Sequence, residues 1–139
     1  MYEFNYHKPA SLGDAAKLLG NAVFNPLSVV AHARLDEILN DPGLAALGLR
    51  GMREVAAIAA AAGSPSPIPL KQRYAMNAEL GAFKTSMLQD FEAGRGLELG
   101  ALVDAVVEIG ARYGLEAPLV EAFGALCRRA VALRDGRNC

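Results

Sequence analysis

From Leu18 to Ala31 the chain carries no charged residue, and apolar or small side chains fill most positions. Against Leu18, Leu19, Ala22, Val23, Phe24, Leu27, Val29 and Val30 stands one polar file: Lys17, Asn21, Asn25, Ser28 and His32. Residues three and four apart share a helix face, so these five fall on one narrow strip if the segment is helical. A surface helix ordinarily has a wide polar face and a narrower apolar one. Here the proportions are reversed. Two readings follow. The strip is a solvated seam on a largely buried helix, or it lines a cleft where two carboxamides and an ammonium grip a small polar ligand. Spacing alone favours the seam, because polar seams on helices are common.

The same patterning predicts an all-α domain of about five main helices. Ser11, with Asp14 at the third helical position, nearly forms a capping box. It opens a helix over 12–33, kinked where Pro26 lacks a backbone donor. Asp41 caps a second helix, with Pro42 at its first position, running to about Ala62. Leu44, Leu47, Val55, Ile58 and Ala62 line its inner face, with Arg50, Arg53 and Glu54 off it. The proline-rich run 63–69 is a loop. A third helix is expected over 70–93, ended by Gly94-Arg95-Gly96. A fourth starts near Glu98 with Leu99, Leu102, Val106, Ile109 and Tyr113 inward, and Gly114 ends it. Pro118 opens the last, with Leu119, Phe123, Leu126, Cys127 and Ala130 inward. Residues 1–16 read as an extended leader, 17–134 as the helical domain and 135–139 as a fraying tail.

Composition narrows the function classes. The 139 residues make one domain with a core that needs no staples, and 53% of them are hydrophobic. A net charge of -1 with scattered Lys and Arg leaves no nucleic-acid footprint. No uncharged stretch is long enough to span a bilayer, and no secretory signal opens the chain, so a cytoplasmic protein is expected. Cys127 reads as a small core residue and Cys139 as a terminal thiol, both suited to a reducing compartment. His7 and His32 have no Cys or acidic partner at ligand spacing, so no metal site is expected.

Two further segments are polar where a helical bundle does not require it. One is Thr85-Ser-Met-Leu-Gln-Asp-Phe-Glu-Ala-Gly-Arg95; the other is Glu98 just beyond it. Read alone, Ser86 is an ordinary helix serine, and Glu98 is an acid favoured in a first turn by the helix dipole. Together with Lys17-Leu-Leu-Gly-Asn21-Ala-Val-Phe-Asn25-Pro-Leu-Ser28, however, they resemble the C-terminal domain of 2-dehydropantoate 2-reductase (ketopantoate reductase). The first segment meets that family's Lys-x3-Asn-x3-Asn-Pro-Leu pattern. The second resembles its Ser-Ser-Met-Leu-Gln-Asp signature with a following Gly-Arg. Glu98 stands where the family carries its functional glutamate, and Tyr113-Gly-Leu-Glu-Ala-Pro118 resembles a late family turn.

The resemblance implies roles. Lys17 is the catalytic general acid, protonating a carbonyl oxygen as hydride arrives from NADPH. Asn21 and Asn25 orient the hydroxyl and carbonyl end of a small 2-oxo acid, Ser86 hydrogen-bonds its carboxylate, and Glu98 pairs with Lys17 or with the bound substrate and cofactor. A carboxylate near Lys17 keeps the amine protonated, as a general acid requires. Where the family places Asp-Ala-Leu-Asn-Gly, this chain has Gly100-Ala101-Leu102-Val103-Asp104. Val103 thus fills a polar family position and puts the choice of substrate in question.

The dinucleotide-binding unit of the complete reductase, a strand followed by Gly-x-Gly-x-x-Gly and a helix, is not found in the sequence. NADP is therefore not expected to bind this chain tightly. Turnover is expected only with a nucleotide-binding domain, possible as a separate chain. The leader, Met1 to Ala16, resembles instead the start of the FAD-binding medium subunit of carbon monoxide dehydrogenase-type molybdenum hydroxylases. The alternatives are a non-catalytic helical binding or association module, or a fragment of such a flavoprotein subunit. Self-association is expected, from the family's dimer contacts and from the aromatic Tyr2, Phe4 and Tyr6.

Overall fold

The computed structural model describes residues 12–66 and 68–136; the side chains of 12–19 lie outside that description. The expected cap by Ser11 and Asp14, residues 1–11 of the leader and Cys139 fall outside it as well, while residues 12–16, expected in the extended leader, belong to the first helix. Seven α-helices and one π-helical turn form the described part, in the order α1 (Leu12–Ala31), α2 (Leu35–Asn40), α3 (Pro42–Ala61), α4 (Leu70–Ala78), α5 (Ser86–Glu92), the π turn (Gly100–Asp104), α6 (Ala105–Arg112) and α7 (Pro118–Arg134). Among the described residues there is no strand.

Helix α1 is the axle of the domain. It packs against α3, α5 and α7, and also touches α2, α4 and the π turn. Its residues from Ala22 to Val29 are all buried, as the reversed proportions of its faces predict. Phe24, Leu27 and Val23 meet Met52, Val55, Val120 and Phe123 in a single core. The thiol of Cys127 is fully buried there and donates to the Pro26 carbonyl at 3.3 Å. Burial pushes this thiol up to about 12, so it stays protonated.

Local signals set several helix ends as expected. The Asp41 carboxylate accepts from the amides of Gly43 and Leu44 at 2.9 and 3.0 Å, and Pro42 sits in the first turn of α3. Gly94 ends α5 with φ +77°, a conformation that costs glycine nothing, while Arg95 N–H reaches back to Asp90 O at 2.9 Å.

Four expectations need correction. The helix expected over 70–93 is two helices, parted by a connection containing Gly81 at φ +63° and held when Leu35 N–H donates to Phe83 O at 2.8 Å. The short α2 was not anticipated; Glu37 accepts from the Arg34 amide at its start, at 2.8 Å. After Glu98 the chain makes a π turn, with Ala105 N–H bonded to Gly100 O, five residues back. That wider turn buries Val103 beside Leu102, which is part-buried against the core, and Tyr113, beyond the end of α6, is 51% exposed. On α7 the buried face runs through Val120, Phe123, Gly124 and Cys127, which leaves Leu126 outside, also 51% exposed.

Candidate functional site

The polar strip of α1 divides along its length. Lys17 lies on α1, its side chain outside the description. Asn21 is exposed, Asn25 is 9% exposed and Ser28 is completely buried. His32 is not part of the helix. It takes φ +52°, the left-handed conformation that ends α1, and Ala33 N–H then bonds to Ser28 O at 3.0 Å. Only the upper part of the strip, Lys17 to Asn25, remains as a candidate ligand face.

Ser28 is engaged within the protein. Its hydroxyl donates to Asn25 O at 2.7 Å and lies 2.6 Å from the hydroxyl of Thr85. Thr85 is the N-cap of α5 and accepts from Leu88 N–H at 3.1 Å. Ser86, the first residue of α5, is exposed and follows directly on a residue that touches the strip. Glu98 is exposed in the stretch before the π turn, which also packs on α1. Asn21 and Asn25 thus lie on α1 and Ser86 on α5, which packs against α1, while Glu98 lies two residues before the π turn.

Two contacts organise the connection between Ser86 and Glu98, and neither was read from the sequence. Arg134, at the end of α7, donates through one terminal nitrogen to Phe91 O and Arg95 O, both at 3.0 Å, with its guanidinium 5.0 Å over the Phe91 ring. Glu92 accepts from Lys84 at 2.7 Å and faces His32 at 3.6 Å, tying α5 to the end of α1. The hydrogen bond from Lys84 holds the Glu92 carboxyl below its ordinary range. Thr85 had a legible signal, a threonine three residues before Leu88, but only for a helix starting at 86.

Val103 is 1% exposed and sits in the core. A methyl group on Gly124 would lie 2.7 Å from Val103 Cγ1, so this side chain is wedged against α7. It packs between helices, and the question it raised about substrate choice does not rest on contact from an open face.

Among the described residues there is no strand and hence no strand–glycine turn–helix unit. No group of three His, Cys, Asp or Glu among them could hold a metal ion. No helix of the described part is long and apolar enough to cross a membrane. A depression of about 470 Å³ opens between α6 and α7, beside Leu115, Glu116 and Pro118, and draws no residue from α1 or α5.

Residues 13–130 match the family described as ketopantoate reductase PanE/ApbA C terminal. The chain is 42% identical over 113 residues to a 2-dehydropantoate 2-reductase of Mesorhizobium japonicum, covering 81% of this chain and 35% of that protein. It is 30% identical over 128 residues to one of Nostoc sp., covering 91% of this chain and 39% of that protein. The crystal structure of 2-dehydropantoate 2-reductase from Methylococcus capsulatus superposes with a TM-score of 0.77 at 32% identity, covering 91% of this chain and 44% of that one. The chain therefore spans well under half the length of these relatives. None of these matches supports the leader's likeness to a flavoprotein subunit. Lys-x3-Asn-x3-Asn on a buried axle helix, a Thr-Ser cap docked on it and a sequence matched from 13 to 130 agree on one conclusion: the chain belongs to the ketopantoate reductase family and carries its C-terminal helical domain.

Proposed function

We propose that this domain is the substrate-binding and dimerisation half of a 2-dehydropantoate 2-reductase-like oxidoreductase, which reduces a 2-oxo acid to a 2-hydroxy acid. The observation that carries this reading is the direct contact, Ser28 to Thr85, between the two helices that bear the family's two polar signatures. Lys17 protonates the carbonyl oxygen as it becomes an alkoxide, and its positive charge stabilises that oxygen on the way. Asn21 and Asn25 orient the hydroxyl and carbonyl end, Ser86 hydrogen-bonds the carboxylate, and Glu98 keeps Lys17 charged or touches the substrate. NADPH, held by a nucleotide-binding domain that the described residues do not form, supplies the hydride. Without that domain the chain is inactive and binds NADPH weakly, in the cytoplasm as elsewhere. The exposed Leu126 and Leu133 of α7 support self-association.

The test combines this chain with the nucleotide-binding half of a complete relative and follows NADPH oxidation with 2-dehydropantoate. Lys17→Ala should lower kcat by roughly 10²-fold or more, the scale of a positioned general acid. An unchanged kcat would remove Lys17 from catalysis, and no oxidation with the unaltered chain would favour a non-catalytic association module.

A further inference from the structure

We infer that Ser28 and Thr85 are positioning residues: their buried hydroxyl pair sets how the Asn21–Asn25 face of α1 stands relative to Ser86 on α5. The inference rests on the function proposed above, because it concerns the same 2-oxo-acid site.

The neighbours of the pair give it one consistent direction. The Ser28 hydroxyl proton goes to Asn25 O at 2.7 Å. In the 2.6 Å contact Ser28 therefore accepts, and Thr85 donates. The Thr85 oxygen in turn accepts from Leu88 N–H at 3.1 Å. One directed chain thus runs from the first turn of α5 to the backbone of Asn25, across 57 positions of sequence. Ser28 is 0% and Thr85 3% exposed, so water does not compete for these bonds. Removing the Ser28 hydroxyl leaves the Thr85 proton without an acceptor, and removing the Thr85 hydroxyl leaves Ser28 without its donor and the Leu88 amide without its cap, in a dry interior.

The placement gives the pair its consequence. Ser86 is the neighbour of Thr85 in the chain, and Asn25 lies one turn before Ser28. A shift of α5 along α1 would move Ser86 relative to both carboxamides. Beside the apolar packing of Met87 on this core, the other polar tie at this seam, His32 after α1 and Lys84 before α5 on Glu92, is exposed at His32 and Lys84 and screened by salt. It cannot set the register with comparable stiffness.

The 139-residue chain can be compared as the unaltered protein, Thr85→Val, Thr85→Ser and Ser28→Ala. Residual dipolar couplings of the α1 and α5 amides read the angle between the helices with no ligand present. Titration with 2-dehydropantoate, followed by amide shifts, reads affinity. Thr85→Val should change the couplings of α5 relative to α1 and weaken binding roughly five- to tenfold, the scale of one buried hydrogen bond. Thr85→Ser keeps the hydroxyl and should restore both. Should Ser28→Ala unfold, Thr85→Val still decides, since it leaves α1 intact. Couplings unchanged in Thr85→Val overturn the inference, as do altered couplings with unaltered affinity. If the unaltered chain binds no 2-dehydropantoate, the proposed function fails at that step, and the couplings alone decide whether the pair sets the register.

Discussion

At the α1–α5 seam two neutral hydroxyls, Ser28 and Thr85, bridge helices out of reach of water. At the α3–α7 junction a carboxylate does so within partial reach of it. Both oxygens of Glu54 accept from Leu119 N–H at 3.0 Å, and Oε1 also accepts from Val120 N–H at 3.1 Å. Helix α7 follows Ala117, which has no capping side chain, so its first amides take an acceptor from a different helix. Helix α5 is capped by its own Thr85, and that cap is then held by α1. Both contacts serve a helix start, but they respond differently to loss. Water can replace the Glu54 carboxylate, whereas nothing replaces a hydroxyl in the dry seam. The stiffer contact is the one beside the candidate site.

A polar group planted between helices with no helix end to serve should cost most. Val103→Asn puts an amide against Gly124 and α1, and should destabilise by about 3 kcal/mol, measured by urea denaturation. If it costs nothing, the π turn tolerates polar residues as open surface does, and Val103 returns as a determinant of substrate choice. Ser28→Ala comes next, at about 2 kcal/mol, because it leaves the Thr85 proton unpaired. The double variant with Thr85→Val should cost less than the two single changes added together. Glu54→Ala should cost about 1 kcal/mol, the scale of a lost helix cap, since water entering the space left by the part-buried carboxylate can take over the Leu119 amide. A larger loss for Glu54→Ala than for Ser28→Ala would reverse the comparison.

The smallest effect belongs to the exposed Lys84–Glu92 pair. Its hydrogen bond holds the Glu92 carboxyl below the ordinary range, so the folded state binds this proton more weakly than the unfolded state does. That stabilisation is present above the unfolded value and is lost as pH falls through the folded one. Glu92→Gln should therefore be slightly less stable than the unaltered chain near neutral pH, and the difference should vanish in acid. Urea midpoints across a pH series check this, and a gap that widens in acid would contradict the sign.

The sequence by itself determined the elements whose causes are local. Asp41-Pro42 and Pro118 start helices, Gly94 and Gly114 end them, and the uncharged run from Leu18 to Ala31 makes a buried axle. Its two polar signatures also carried the family. Tertiary structure decided where side chains answer backbone groups far away in sequence. Residues 71–80 are helix-forming throughout, and the break near Gly81 is held by Leu35 from another segment. The strip on α1 read as continuous, yet Ser28 turned inward because Thr85 lay opposite it, and His32 left the helix to end it. Glu54 lay off the predicted inner face and caps α7. Unpaired amides and hydroxyls must find partners wherever folding brings them, and periodicity along one helix does not encode which neighbour will supply them.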